Sequence, residues 1–280
     1  MFSYLNIEKE IKNIRSCGAE VFSIGRSAYG LPLYCVKVGN SGKKIIVSAS
    51  IHAREILTAK LCLAQINYAL KNESVGQIYF LPCLNPDGAI LYSQGDEFFG
   101  ANAQKIQKIN GGRNDYSLFK ANANGVDLNV NFPARWGTGA QNRYNPSSES
   151  FVGKYPLDQP ESKALSKFTE LVAPNATVSY HAKGQIVYWY FHQTENLIRD
   201  KKIASAVAKS LGYALGESQT NSAGGYKDYC IEKYGIVAMT IEIISDKCVH
   251  PLPDSALPQE EIVKHLNLPQ RLIKLLEKYN

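Results

Sequence analysis

A histidine and a glutamate three residues apart, His52 and Glu55, sit where the apolar run Ile45, Ile46, Val47 breaks into the segment SASIHARE (48–55). In a turn, that spacing can aim an imidazole nitrogen and a carboxylate oxygen at one ion. Zinc accepts such mixed sets, and a catalytic site commonly uses three protein ligands plus water. The plainer alternative is a helix N-terminus with an acid in its first turn, which the helix dipole favours. The rest of the chain has to supply a third ligand and a base, and it offers only His181, His192, His250 and His265 as further histidines. His181 lies in VSYHAKG (178–184), again a short apolar run breaking into a polar segment. Glu242 lies inside the apolar run IVAMTIEII (236–244), where a bare carboxylate is costly unless paired or placed near a metal. Packing alone does not explain a His/Glu pair, a His and a Glu at the ends of three apolar runs. His192 sits among aromatics and reads as structural; His250 and His265 receive no role.

Such residues need a scaffold that brings several strand ends to one edge. Apolar spacing predicts helices over 4–16, 57–70, 161–172 and 194–211, and a closing helix over 259–278 interrupted by Pro269. Strands are predicted over 21–24, 33–38, 45–47, 77–81, 177–180, 185–191 and 236–244. The sequence NPDG (85–88) reads as a turn. This alternation argues for an α/β fold: one domain over 1–280, a mixed parallel/antiparallel twisted sheet with helices on both faces. Ligands of such sheets gather at the carboxyl ends of strands, where His52 and His181 fall. Residues 92–151 and 216–229 are rich in Gly, Asn and Ser. Sixty structureless residues make an unusual linker, so the first stretch is expected to lay functional loops over one face of the sheet, a domain boundary being the alternative.

The 280 residues suffice for a full core. Thirty-one basic and 25 acidic side chains leave a net charge of +6, mild and dispersed, without the basic block of a nucleic-acid arm. Such a surplus tolerates an acidic substrate. No basic region leads into an apolar one at the N-terminus, so no signal peptide is expected, and no stretch is apolar enough for membrane insertion. The six cysteines form no C-x-x-C pair, and Cys62 and Cys83 lie in apolar contexts suited to reduced thiols. A cytoplasmic setting is expected, and the composition leaves the oligomeric state open.

With these residues assembled, the chain resembles the zinc carboxypeptidase family. His52 and Glu55, with Arg54 between them, match its H-x-x-E motif; GVDLNVNF (125–132) matches its G-V-D-L-N-R-N-[FY] motif; and Gly224-Gly225 keeps the family's interval to Glu242. The resemblance runs from about residue 20 to 275 and implies one Zn²⁺ held by His52, Glu55 and His181, with Glu242 as general base. Within the family the chain is similar to bacterial γ-D-glutamyl–diamino acid endopeptidases, on the segments NVNFPARW (129–136), FKANAN (119–124) and HAKG (181–184). That likeness implies a peptidoglycan-derived peptide as substrate, cut next to meso-diaminopimelate or lysine, and a spore or mother-cell association. The chain also departs from the family. Val130 replaces the arginine that anchors a free terminal carboxylate, beside a retained Asn129. Lys120 takes the place of the arginine that polarises the scissile carbonyl. Thr220 stands where a substrate-binding tyrosine is usual, with Tyr226 close by as a substitute, and Lys227 matches the floor of the side-chain pocket. Arg54, Asn129, Arg135, Tyr226 and Lys227 are the implied substrate contacts. A metallocarboxypeptidase acting on C-terminal residues is the alternative activity.

Overall fold

A computed structural model describes residues 1–72, 75–216 and 221–279. In chain order the elements begin with α1 (Tyr4–Ser16), β1 (Glu20–Arg26), β2 (Pro32–Val38), β3 (Lys44–Ser48), α2 (Leu57–Lys71) and β4 (Gln77–Leu81). Next come α3 (Pro86–Gln94), α4 (Ala103–Ile109), α5 (Pro160–Val172), β5 (Ala176–His181) and β6 (Ile186–Tyr188). The chain closes with α6 (Leu197–Leu211), β7 (Ala214–Leu215), α7 (Tyr226–Tyr234), β8 (Val237–Glu242), α8 (Gln259–His265) and α9 (Leu268–Tyr279). Short 3₁₀ turns cover Ala53–Glu55 and Leu128–Val130.

The strands form one mixed sheet in the order β1-β2-β4-β3-β5-β8-β6-β7. Its centre, β4-β3-β5-β8, is parallel, while β1-β2, β2-β4 and β8-β6 pair antiparallel. Both faces are covered, so the central strands read as continuous apolar runs instead of alternating ones. Ile45, Val47, Val178, Tyr180, Met239 and Ile241 face one core, packed with helices α1, α2, α6, α8 and α9. Ile46 and Ala238 face the other, against Leu165 and Phe168 of α5 and Tyr226, Tyr229 and Cys230 of α7. No helix among the described residues is long and apolar enough to cross a membrane, and all six cysteines are free, Cys62 and Cys83 among the buried ones.

Several local expectations need correction. Asn85 caps a helix: its side chain accepts from the Gly88 amide, and Pro86 opens α3, a position that needs no amide hydrogen. The Asn85 side-chain Nδ2 donates to the carbonyls of Ile51 and Ala121, which braces the turn carrying His52. Residues 92–151 contain the end of α3 and all of α4 as well as loops. Residues 226–234, expected to begin as loop, form α7. The expected strand 185–191 shrinks to Ile186–Tyr188, and α6, expected from residue 194, starts at Leu197 with Asn196 at its N-cap. The break near Pro269 falls between α8 and α9, with the proline inside the first turn of α9.

Candidate zinc centre and cleft

Three parallel strands bring the chemistry to one edge. β5 and β8 pair in register so that His181 lies opposite Glu242, and β3, the other neighbour of β5, leads through residues 49–51 to His52. The 3₁₀ turn Ala53–Glu55 is fixed from outside: the amides of Ala53 and Arg54 donate to the carbonyls of Lys120 and Phe119, 3.0 Å each. From inside, Thr58 Oγ1 donates to the Glu55 carbonyl and accepts from the Ser50 amide.

The side chains of His52, Glu55 and His181 are buried and converge. His52 Nδ1 lies 2.9 Å from Glu55 Oε1, His181 Nδ1 lies 3.2 Å from Glu55 Oε2, and the two Nδ1 atoms are 3.2 Å apart. Bonds of about 2.0–2.2 Å in a tetrahedral array put ligand atoms roughly 3.3 Å from one another, so the spacing fits one Zn²⁺. The donor chemistry agrees. Two imidazole lone pairs and a carboxylate crowd one another without a cation, and the two histidines hold the Glu55 carboxyl well below its usual range against the opposing effect of burial. It is therefore ionised and ready to ligate. His52 Nε2 donates to Asp127 Oδ1 at 3.2 Å, which leaves Nδ1 free for the metal. His181 Nε2 is buried and has no such partner among the described residues.

Asp127 is the functional residue that sequence reasoning passed over. It lies within the matched GVDLNVNF motif, which is the signal that could have found it. Besides His52 it binds Lys120 Nζ at 3.0 Å and the amides of Asn129 and Ser150. Burial opposes ionisation of Asp127, yet Lys120 and His52 hold it well below the usual carboxylate range. Burial also lowers the Lys120 ammonium, and Asp127 and Glu55 overcome that and raise it.

Glu242 presents the opposite electrostatics. Its Oε2 is buried without a hydrogen-bond partner, and burial pushes the carboxyl up from 4.5 to about 8, with His181 pulling the other way. A carboxyl of raised pKa beside a metal site is the kind of group that takes and returns protons near neutral pH.

A cavity of about 320 Å³ joins these groups, lined by His52, Glu55, His181, Glu242, Lys120, Arg54, Asn129, Lys227 and Asp228 among others. Arg54 donates to the Leu118 carbonyl and lies 3.7 Å from Glu149. Asn129 turns its Oδ1 to the Tyr226 amide. Lys227 Nζ bonds Asp228 Oδ1 and the Tyr190 carbonyl. Two expected contacts lie elsewhere. Tyr226 is 0% exposed, its hydroxyl bonded to Thr169 Oγ1 of α5 at 2.7 Å, so it faces the core beneath the cleft and not the substrate. Arg135 is half-exposed, 3.6 Å from Glu232 and stacked over Phe191, outside the cavity lining. Thr220 lies outside the described residues.

A buried two-histidine, one-carboxylate centre on the carboxyl edge of an α/β sheet, with a further buried carboxyl beside it, is a zinc metallopeptidase centre. Residues 7–264 match the family described as zinc carboxypeptidase, and the chain belongs to that family. It is 32% identical over 248 residues to γ-D-glutamyl-L-diamino acid endopeptidase 1 of Lysinibacillus sphaericus, covering 83% of this chain and 62% of that protein. It is 30% identical over 271 residues to the uncharacterised protein YqgT of Bacillus subtilis, covering 88% of this chain and 70% of the relative. Bovine thrombin-activatable fibrinolysis inhibitor, solved with a tick carboxypeptidase inhibitor, shares the fold with a TM-score of 0.80 at 20% identity, over 99% of this chain and 97% of that one.

Proposed function

We propose that this chain is a zinc-dependent endopeptidase that hydrolyses the γ-D-glutamyl–diamino acid amide of peptidoglycan stem peptides. The observation that carries the reading is the space around Val130. At that position the family's arginine would bind a free terminal carboxylate. Here a second cavity of about 380 Å³, lined by Val130 and residues 139–142, shares Lys120, Asn129 and Ser222 with the lining of the first. A peptide can continue into it past the scissile residue. The likeness to the Lysinibacillus endopeptidase supports the same bond.

His52, Glu55 and His181 would hold the ion, which when bound would supply Lewis acidity to the scissile carbonyl and acidify a water. Glu242 takes the proton of the attacking water and passes it to the leaving amine. Lys120, steadied by Asp127, sets a positive charge against the developing oxyanion, a point charge in place of a planar fork.

The second reading is a metallocarboxypeptidase. It has the broader support among the comparisons, since the family's own description carries that activity. Arg54, Lys120 and Lys227 in the cavity could also hold a free carboxylate. The test is a matched pair, L-Ala-γ-D-Glu-meso-diaminopimelate with and without a further D-Ala. Comparable kcat/KM for both, with α-linked peptides uncut, is expected. Removal of single residues from ordinary peptides, abolished by C-terminal amidation, would establish the carboxypeptidase.

A further inference from the structure

Behind the hydrolytic centre, on the other face of the sheet, a buried polar cluster interrupts an otherwise apolar core. Successive strand residues point to opposite faces, so Tyr180 and Ile243, the chain neighbours of His181 and Glu242, turn into that core. Gln65 of α2 meets the first: its Nε2 donates to the Tyr180 hydroxyl at 2.7 Å and to the His265 carbonyl at 2.8 Å. Tyr213, just past α6, meets the second. Its hydroxyl lies 3.1 Å from the Ile243 carbonyl and in close contact with Glu261 Oε1 of α8. His265, also of α8, places Nε2 3.1 Å from the same hydroxyl. The His265 Nδ1 is buried without a partner among the described residues and burial lowers the ring's pKa, so the imidazole is neutral with its hydrogen on Nε2. Burial opposes ionisation of Glu261, yet His265, Lys264 and Tyr213 hold its carboxyl down at about 2. Imidazole, phenol and carboxylate therefore form one chain of donors ending on a charge.

Stability alone is a poor reason for this cluster. Gln65 Oε1 is buried with no partner among the described residues, a cost that an apolar side chain of similar size avoids. What the polar contacts supply is direction: each fixes a strand one residue away from a group that does the chemistry. We propose that Tyr213 and Gln65 are positioning residues for hydrolysis, which hold β5 and β8 from the far face so that His181 and Glu242 keep their mutual placement. Between this brace and the cleft the two strand ends are tied by the Ile243 amide, which donates to the His181 carbonyl at 2.9 Å, and by the Gly184 amide, which donates to the Ile244 carbonyl at 2.6 Å. The inference rests on the peptidase reading for its kinetic consequence and is the same for either choice of scissile bond.

Zinc-loaded Tyr213→Phe, Gln65→Met and Tyr226→Phe are compared with the unaltered protein. Tyr226→Phe removes a buried hydroxyl bond from the opposite core and so reports what lost stability alone does. One readout is hydrolysis of L-Ala-γ-D-Glu-meso-diaminopimelate or, where that is not cut, of N-acylated α-linked dipeptides; the other is residue-resolved amide exchange. Tyr213→Phe and Gln65→Met should each lower kcat on the order of tenfold with KM unchanged, short of the roughly 10²-fold that a misplacement of about 1 Å can cost. Both should speed exchange at Ile243 and Gly184 while the amides of β4 exchange as before, and Tyr226→Phe should do neither. Unchanged kcat in the two brace variants, a change in only one of the two readouts, or the same response in all three variants overturns the inference. Should Tyr213→Phe fail to fold, Gln65→Met decides, since it removes an unpaired buried oxygen along with the two bonds. If the unaltered protein cuts no peptide, the peptidase reading fails and exchange decides alone. Faster exchange at Ile243 and Gly184 confined to the brace variants then keeps the brace, and exchange indifferent to the substitution refutes it.

Discussion

The metal ligands and the wall of the cleft are built on different principles. His181 and Glu242 sit on paired strands, and His52 and Glu55 sit on a turn bonded to residues 119 and 120 on one side and to Thr58 on the other. Their positions follow from sheet register. The wall is assembled from α7, the 3₁₀ turn Leu128–Val130 and loops, and its polar groups hold one another: Lys227 with Asp228, and Asn129 with the Tyr226 amide. The first region fixes which bond-breaking chemistry is available. The second fixes what is presented to it, and can be altered one contact at a time.

The comparison is sharpened most strongly at a ligand. His181→Ala should remove tightly held zinc and abolish hydrolysis while far-ultraviolet dichroism stays the same; metal analysis showing full zinc content would break the assignment. Glu242→Gln should keep zinc and the fold but lose about 10²- to 10⁴-fold in turnover, the usual weight of a general acid–base group. In the metal-free protein the same substitution has a signature in stability. A carboxyl raised from 4.5 to about 8 in the folded state gives stabilisation that is complete below the unfolded value and is lost as pH rises through about 8. The Tm advantage of Glu242→Gln over the parent should therefore widen between those limits, and a constant gap would argue that the carboxyl is not destabilised by burial.

A smaller effect is expected at Asp127, which orients His52 without touching the ion. Asp127→Asn should weaken zinc affinity by about 10- to 100-fold, readable by competition with a chelator. On the wall side, Tyr226→Phe should leave kcat and KM unchanged and cost roughly 1 kcal/mol in denaturant unfolding, because the lost hydroxyl bonds only within the core. A fall in kcat would place that hydroxyl in the cleft after all.

The same division explains what could be read from the residues. Helix 4–16 and strand 77–81 match α1 and β4, since each carries an apolar pattern bounded by a clear stop. His52, Glu55, His181 and Glu242 stand out because polar groups interrupt apolar runs. Helix α7 was hidden: glycine occupies its N-cap, where a polar side chain usually signals a start, and Asp228 supplies the capping bond from within the helix. Asp127 was hidden for another reason. Its partners His52 and Lys120 come from elsewhere in the chain, and no local pattern predicts a meeting of that kind. Closeness to Thr220 suggests Tyr226 as a substrate contact, with ordinary packing beside Gly225 as the alternative; the direction of a helical side chain depends on where the helix lies, and this one points at α5.

The distance in sequence between the ligands has a thermodynamic consequence. His52 and His181 are 129 residues apart and meet only when β3 and β5 pair. An unfolded chain offers no such site, so zinc binds the native state selectively and its binding energy becomes folding energy. Free zinc at a thousandfold excess over Kd would add about 4 kcal/mol, comparable to much of a typical domain's net stability. The protein is then a concentration gauge as well as a scaffold: its melting temperature should climb with the logarithm of free zinc, and a chelator should soften the centre of the sheet before its edges.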